Sequence, residues 1–125
     1  LYSQLNRPNG LALSPDEKTL YVANSDAKRN LWMAFDLVEG KLLNERVFFD
    51  ATSIDRPGLA DGLKVNKNGY VFATGPGGVL VLSPEGKHLG TILTEERTAN
   101  CAFNEDESVL YMTSHRYLTR IKLKK

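Results

Sequence analysis

Leu59-Ala60-Asp61-Gly62-Leu63-Lys64-Val65, followed by Asn66-Lys67-Asn68-Gly69 and then Tyr70-Val71-Phe72-Ala73-Thr74, is the stretch on which the fold turns. A polar residue heads a short apolar run, a tight turn follows, and a β-branched and aromatic run returns. Gly, Pro, Asn and Asp fill such turns because they tolerate tight backbone geometry. The same order occurs twice more. Upstream, Arg7-Pro8-Asn9-Gly10-Leu11-Ala12-Leu13 turns at Ser14-Pro15-Asp16-Glu17-Lys18 and returns as Thr19-Leu20-Tyr21-Val22-Ala23-Asn24. Downstream, Thr98-Ala99-Asn100-Cys101-Ala102-Phe103 turns at Asn104-Glu105-Asp106-Glu107-Ser108 and returns as Val109-Leu110-Tyr111-Met112-Thr113.

The leading polar residues stand at positions 9, 61 and 100, so the copies start 52 and 39 residues apart. Unequal periods of about 40–50 residues suit propeller blades, whose strands match while their loops vary. Third strands follow at Leu31–Phe35, Val79–Leu82 and Leu118–Leu123. The first two copies then share the turns Glu39-Gly40-Lys41 and Glu85-Gly86-Lys87, with fourth strands at Arg46–Asp50 and Leu89–Leu93. The third copy stops short of a fourth strand.

The expected fold is therefore all-β, with no helix. Three antiparallel blades span approximately residues 8–55, 58–96 and 98–125, the last lacking its outer strand. A meander cannot bury both faces alone, so each must stack on a neighbour around an axis. Three blades are too few to close a ring. The missing part of a longer propeller, or a second copy of the chain, is expected to complete it.

Composition removes several functions from consideration. Sixteen basic and 15 acidic residues leave a net charge of +1, with neither sign forming a long block. A large electrostatic footprint for nucleic acid or anionic membrane is absent. The basic end, Arg120-Ile121-Lys122-Leu123-Lys124-Lys125, reads as alternating lysines guarding a sheet edge. No stretch approaches the ~20 apolar residues of a membrane-spanning helix. Cys101 is the sole cysteine, so neither an internal disulfide nor a cysteine zinc site can form, and it reads as a small buried apolar residue. No signal peptide is visible from Leu1 onward, and the compartment is not legible.

With the motifs set out, the chain resembles the senescence-marker-protein, gluconolactonase and luciferin-regenerating-enzyme-like family. Arg7-Pro8-Asn9-Gly10-Leu11 with Leu20-Tyr21-Val22-Ala23 carries the resemblance, as does Ala60-Asp61-Gly62-Leu63 with Asn68-Gly69-Tyr70-Val71-Phe72-Ala73-Thr74. The run Thr98–Phe103 with Leu110-Tyr111-Met112-Thr113-Ser114 is similar to that family's last blade, although Asn104-Glu105 replaces its usual Gly-Gly. The resemblance implies the C-terminal half of a six-bladed propeller that binds one divalent metal and hydrolyses sugar lactones or related cyclic esters. Calcium is the expected ion, with magnesium, manganese or zinc as alternatives.

By the same resemblance, Asn9 matches a metal-binding Asn, and Asp61 a metal-binding Asp that also serves as general base. A further metal-binding Glu of the family has no match in these residues. The chain by itself is accordingly expected to lack turnover. Calcium takes 6–8 oxygen ligands, so such a set leaves positions for water and substrate. The ion would polarise a lactone carbonyl while Asp61 takes a proton from the attacking water. A propeller keeping its metal only for structure, and binding a small ligand or protein partner, is the competing expectation.

Read from residues alone, Asn9-Gly10 and Asp61-Gly62 also fit hairpin turns, but Pro8 before the first and Pro57-Gly58 before the second make poor strands. Asn100 heads its copy as Asn9 does. It is read either as capping the strand start or as touching the metal or its waters. Second strands run back antiparallel, which places Asn24, Thr74, Ser114 and His115 near the channel mouth, where they join Asn100 as candidate channel or substrate contacts. His115 is read as a loop histidine or a proton shuttle.

Overall fold

The structure, a computed structural model, describes residues 1–124; Lys125, the last residue of the third expected blade, lies outside the described residues. Eleven strands and no helix make up the described residues. The first sheet holds β1 (Pro8–Leu13), β2 (Thr19–Asn24), β3 (Leu31–Val38) and β4 (Lys41–Asp50) in chain order. The second holds β5 (Leu63–Val65), β6 (Val71–Gly75), β7 (Gly78–Leu82) and β8 (His88–Leu93). The third holds β9 (Thr98–Phe103), β10 (Val109–Ser114) and β11 (Tyr117–Lys122). All pairings are antiparallel, and the third sheet has three strands.

Each hairpin between first and second strands is closed by side chains that stand in for backbone partners. The Asp16 carboxylate accepts hydrogen bonds from the Ser14 hydroxyl at 2.6 Å and the Lys18 N–H at 3.0 Å. Asn66 Oδ1 accepts from the N–H groups of Asn68 and Tyr70 at 3.0 and 2.9 Å. In the third sheet, the Asp106 carboxylate accepts the Ser108 N–H at 3.0 Å, while Asn104 Oδ1 accepts the Val109 N–H at 2.8 Å. One device thus recurs in all three copies, which is why their first two strands match.

The sheets stack face to face. Tyr21, Ala23, Trp32 and Ala34 of the first sheet pack on Leu63, Val71, Ala73, Leu80 and Leu82 of the second. The opposite face of the second sheet presents Phe72 and Val79 to Cys101, Leu110 and Met112 of the third. The middle sheet is covered on both sides, so β6 is buried at every position instead of alternating. Burying a large apolar side chain stabilises by roughly 1.5–3 kcal/mol, so these two interfaces hold the stack together.

The two outer faces differ. Leu31, Met33 and Phe35 on the first sheet are covered by Tyr2 and Leu5, the Tyr2 ring meeting Phe35 edge-on at 4.9 Å. Leu11 beside them remains 66% exposed. On the third sheet Tyr111 and Leu118 are exposed, Leu118 at 77%. Both ends of the stack therefore present apolar side chains to solvent.

Candidate functional site

Strands β1, β5 and β9 are the first strand of each sheet, and β5 lies beside both of the others. Asn9, Asp61 and Asn100 stand at or just before the starts of these strands. At each place the ladder is irregular. Pro8 pairs with Asn24 and Leu11 with Val22, which leaves an extra residue on β1 where Asn9-Gly10 sits. Thr98 pairs with Ser114 and Asn100 with Thr113, leaving Ala99 as the extra residue on β9. Ahead of β5, Asp61 and Gly62 together face Thr74: the Asp61 N–H donates to Thr74 O at 3.1 Å, and the Thr74 N–H to Gly62 O at 3.0 Å. An unpaired residue bends a strand and re-aims its side chains. The same local distortion thus accompanies all three polar residues.

Glycines let the three segments close on one another. A Cβ on Gly10 would overlap the Asp61 carbonyl oxygen and lie 2.8 Å from the carbonyl carbon. A Cβ on Gly62 would lie 2.6 Å from Cγ of Asn100 and 2.8 Å from Ala99 O. The Gly62 N–H also donates to Ala99 O at 2.9 Å, tying the second sheet to the third. Asn9-Gly10, Asp61-Gly62 and Ala99-Asn100 therefore form one contiguous row.

The second-strand residues named as candidate contacts lie behind this row. Asn24 is fully buried, its Oδ1 accepting the Arg7 N–H at 2.9 Å and its Nδ2 donating to Asn6 Oδ1 and Arg29 O. Thr74 is fully buried, and its hydroxyl donates to Gly62 O at 2.6 Å. Ser114 is buried, its hydroxyl 3.0 Å from that of Thr98. In each sheet the end of the second strand thus holds the segment that carries the leading polar residue. His115 is exposed, at φ 53° in the β10–β11 turn, with its N–H donating to Arg97 O.

Two positioning residues escaped the sequence reading. Asn30, 5% exposed, reaches from the β2–β3 loop to accept the Ala60 N–H at 2.6 Å, directly before Asp61. Lys64, on β5, donates to Asn100 Oδ1 at 3.4 Å and to Leu63 O at 3.3 Å. These pairs stand 30 and 36 residues apart, and no periodicity or local motif signals contacts at that range.

Asp61 is half-buried, and burial pushes its carboxyl above the ordinary range, partly offset by the Gly62 backbone N–H. Asn9 and Asn100 are exposed. Among the described residues, no three of His, Cys, Asp and Glu gather as a metal cluster. No helix of the described residues is long and apolar enough to cross a membrane.

Antiparallel sheets stacked through their faces, with polar residues in one row at the innermost strands, define an all-β scaffold of propeller type. The chain belongs to the SMP-30/gluconolactonase/LRE-like family, whose model matches residues 1–116. A gluconolactonase of Zymomonas mobilis is 38% identical over 128 residues, covering 96% of this chain and 36% of that protein. The structure of a gluconolactonase from Xanthomonas campestris superimposes with a TM-score of 0.86 at 34% identity, covering 98% of this chain and 39% of that one. A calcium-binding regucalcin from Agrobacterium tumefaciens gives a TM-score of 0.76 at 28% identity, over 93% of this chain and 40% of its own. The chain therefore spans well under half the length of these relatives.

Proposed function

We propose that the protein carrying this chain is a divalent-cation-dependent lactone hydrolase. In this reading the three sheets are half of a six-bladed propeller, with Asn9 and Asp61 among the metal ligands at its centre. The observation that carries it is the row of three distorted strand starts, in a family that includes gluconolactonases and a calcium-binding regucalcin. The apolar faces at both ends of the stack, around Leu11 and Leu118, support further blades or a second copy of the chain closing the ring.

The donor chemistry fits such an ion. Asn9 and Asp61 offer hard oxygens, which suit calcium, magnesium or manganese. Burial, not a neighbouring base, dominates the titration of Asp61, and a cation would compensate that partly desolvated carboxylate. When bound, the cation supplies a Lewis acid for the lactone carbonyl. Asp61 accepts a proton from water as the water oxygen bonds to the carbonyl carbon. The ring C–O bond then breaks, and the proton held by Asp61 passes to the leaving alkoxide, yielding a hydroxy acid. Asn24, Thr74 and Ser114 position the row from behind, while Asn100 and His115 remain beside the solvent.

The calcium-binding regucalcin favours a second reading, in which the metal is structural and the propeller binds a ligand without turnover. Hydrolysis of gluconolactone by the protein, abolished by a chelator and restored by calcium, separates the two. No turnover in saturating calcium would leave only the second.

A further inference from the structure

Asn100 is oriented more tightly than a strand-capping residue needs. Its Oδ1 accepts the Cys101 N–H at 2.9 Å, and a backbone N–H can only donate, so this interaction assigns the amide oxygen unambiguously. The same Oδ1 takes a second hydrogen bond from the Lys64 ammonium at 3.4 Å, and the amide carbon lies against Gly62. Both acceptor directions of the oxygen are thus engaged. The other arm of the amide, Nδ2, has no protein partner among the described residues, and Asn100 is exposed. Lys64 itself rests on two neutral oxygens, those of Asn100 and Leu63. It acts as a positioning residue that keeps the amide from turning over.

We infer that Asn100 is a hydrogen-bond donor to substrate: its oxygen, committed to Lys64 and Cys101, is withheld from the metal, and its NH2 group is presented to an acceptor oxygen of the bound lactone. The inference rests on the lactone-site reading for the identity of the ligand. It departs from two of the roles that the sequence allowed Asn100, a cap or a contact to the metal, and sharpens the third, a substrate contact, by naming the NH2 group as the donor. The acceptor is a carbonyl or hydroxyl oxygen, since an NH2 donor held beside Asp61-Gly62 pairs with an acceptor and repels another donor. A preorganised donor of this kind in an active site contributes about 10²–10³-fold to turnover when it meets a developing oxyanion, and less when it meets a ground-state oxygen.

Asn100→Asp tests this directly, because it keeps an oxygen for Cys101 and Lys64 and exchanges the NH2 donor for a charged oxygen acceptor, while Asn100→Ala removes the donor without adding charge. In the calcium-loaded full-length protein, kcat/KM for gluconolactone should fall about 10- to 100-fold, with no loss of melting temperature and no weakening of calcium binding. Asn100→Ala should lower kcat/KM similarly and leave the calcium dissociation constant unchanged. Wild-type kcat/KM in Asn100→Asp, or a tenfold loss of calcium affinity in Asn100→Ala, would overturn the inference. Binding of the non-hydrolysable gluconolactam separates this result from failure of the hydrolase reading. A protein that binds the lactam without hydrolysing lactones loses the hydrolase reading, and the donor is then judged by a tenfold weaker lactam affinity in Asn100→Asp. A protein that binds neither compound overturns both.

Discussion

Gly10 and Asp61 are in direct contact across two sheets, with no room for a methyl group between the backbone at residue 10 and the Asp61 carbonyl. The first and second sheets therefore meet at the point where their polar leaders stand. Gly10→Ala forces the Asp61 peptide to move, and overpacking of this kind costs about 1–3 kcal/mol. The expected result is a lower denaturation midpoint together with weaker calcium binding by calorimetry. Gly90→Ala is the control, since nothing lies within 4 Å of a Cβ there. It should change stability by no more than about 0.5 kcal/mol.

Asn30 fixes Asp61 from the other direction. Its Oδ1 accepts the buried Ala60 N–H, and Asn30→Ala leaves that donor without a partner. An orphaned buried donor costs about 1–3 kcal/mol. Because Ala60 precedes Asp61, chemical denaturation should show that loss together with a reduced calcium affinity. Stability loss with calcium affinity intact would show that Asn30 supports only the core.

Cys101 reports on the interface between the second and third sheets. Burial pushes its thiol up to about 11, with Lys64 lowering it in part. Its Sγ donates to Phe72 O at 3.6 Å. Between pH 9 and 11 the unfolded chain loses the thiol proton while the folded chain keeps it, so stability falls as pH rises through that window. The shift from 9.0 to about 11 corresponds to about 2–3 kcal/mol once pH passes 11. Stability measured against pH should fall less steeply through this window in Cys101→Ala than in the wild type, the remaining fall coming from the Tyr21 phenol, which burial also pushes up. At pH 8 an aromatic disulfide reagent should label the native protein far more slowly than the unfolded chain.

The strand pattern was legible because each hairpin carries its own chemistry. Asn66 to Gly69 and Ser14 to Lys18 are turns whose side chains complete the backbone bonds, and local bonds of that kind are written in adjacent residues. Strand β4 was legible only in part. It begins at Lys41, but residues 41–45 are polar or exposed apart from Leu42, with Asn44 at φ 53°, and only the Val47-Phe48-Phe49 cluster carries a strand signal. The extra residues at Asn9-Gly10 and Ala99 were not legible, since a register shift is a relation between strands and leaves no local mark. The same holds for Asn24, Thr74 and Ser114. Their positions at the ends of second strands follow from the meander, whereas the occupation of their polar atoms by Arg7, Gly62 and Thr98 needs the folded sheets. Asn30 and Lys64 act across sheets; Asn30 lies outside the repeated motif, and Lys64 lies inside it where the other copies carry Ala12 and Phe103.

The central claim is that Asp61 is both a metal ligand and the base that takes the proton from water. Asp61→Asn in the calcium-loaded, full-length protein keeps size and one oxygen donor while removing the base. Initial rates of gluconolactone hydrolysis, measured at saturating calcium so that weakened metal binding is offset, should fall by at least about 10²–10⁴-fold, the range for loss of a positioned general base. Hydrolysis at the wild-type rate by Asp61→Asn would contradict the account.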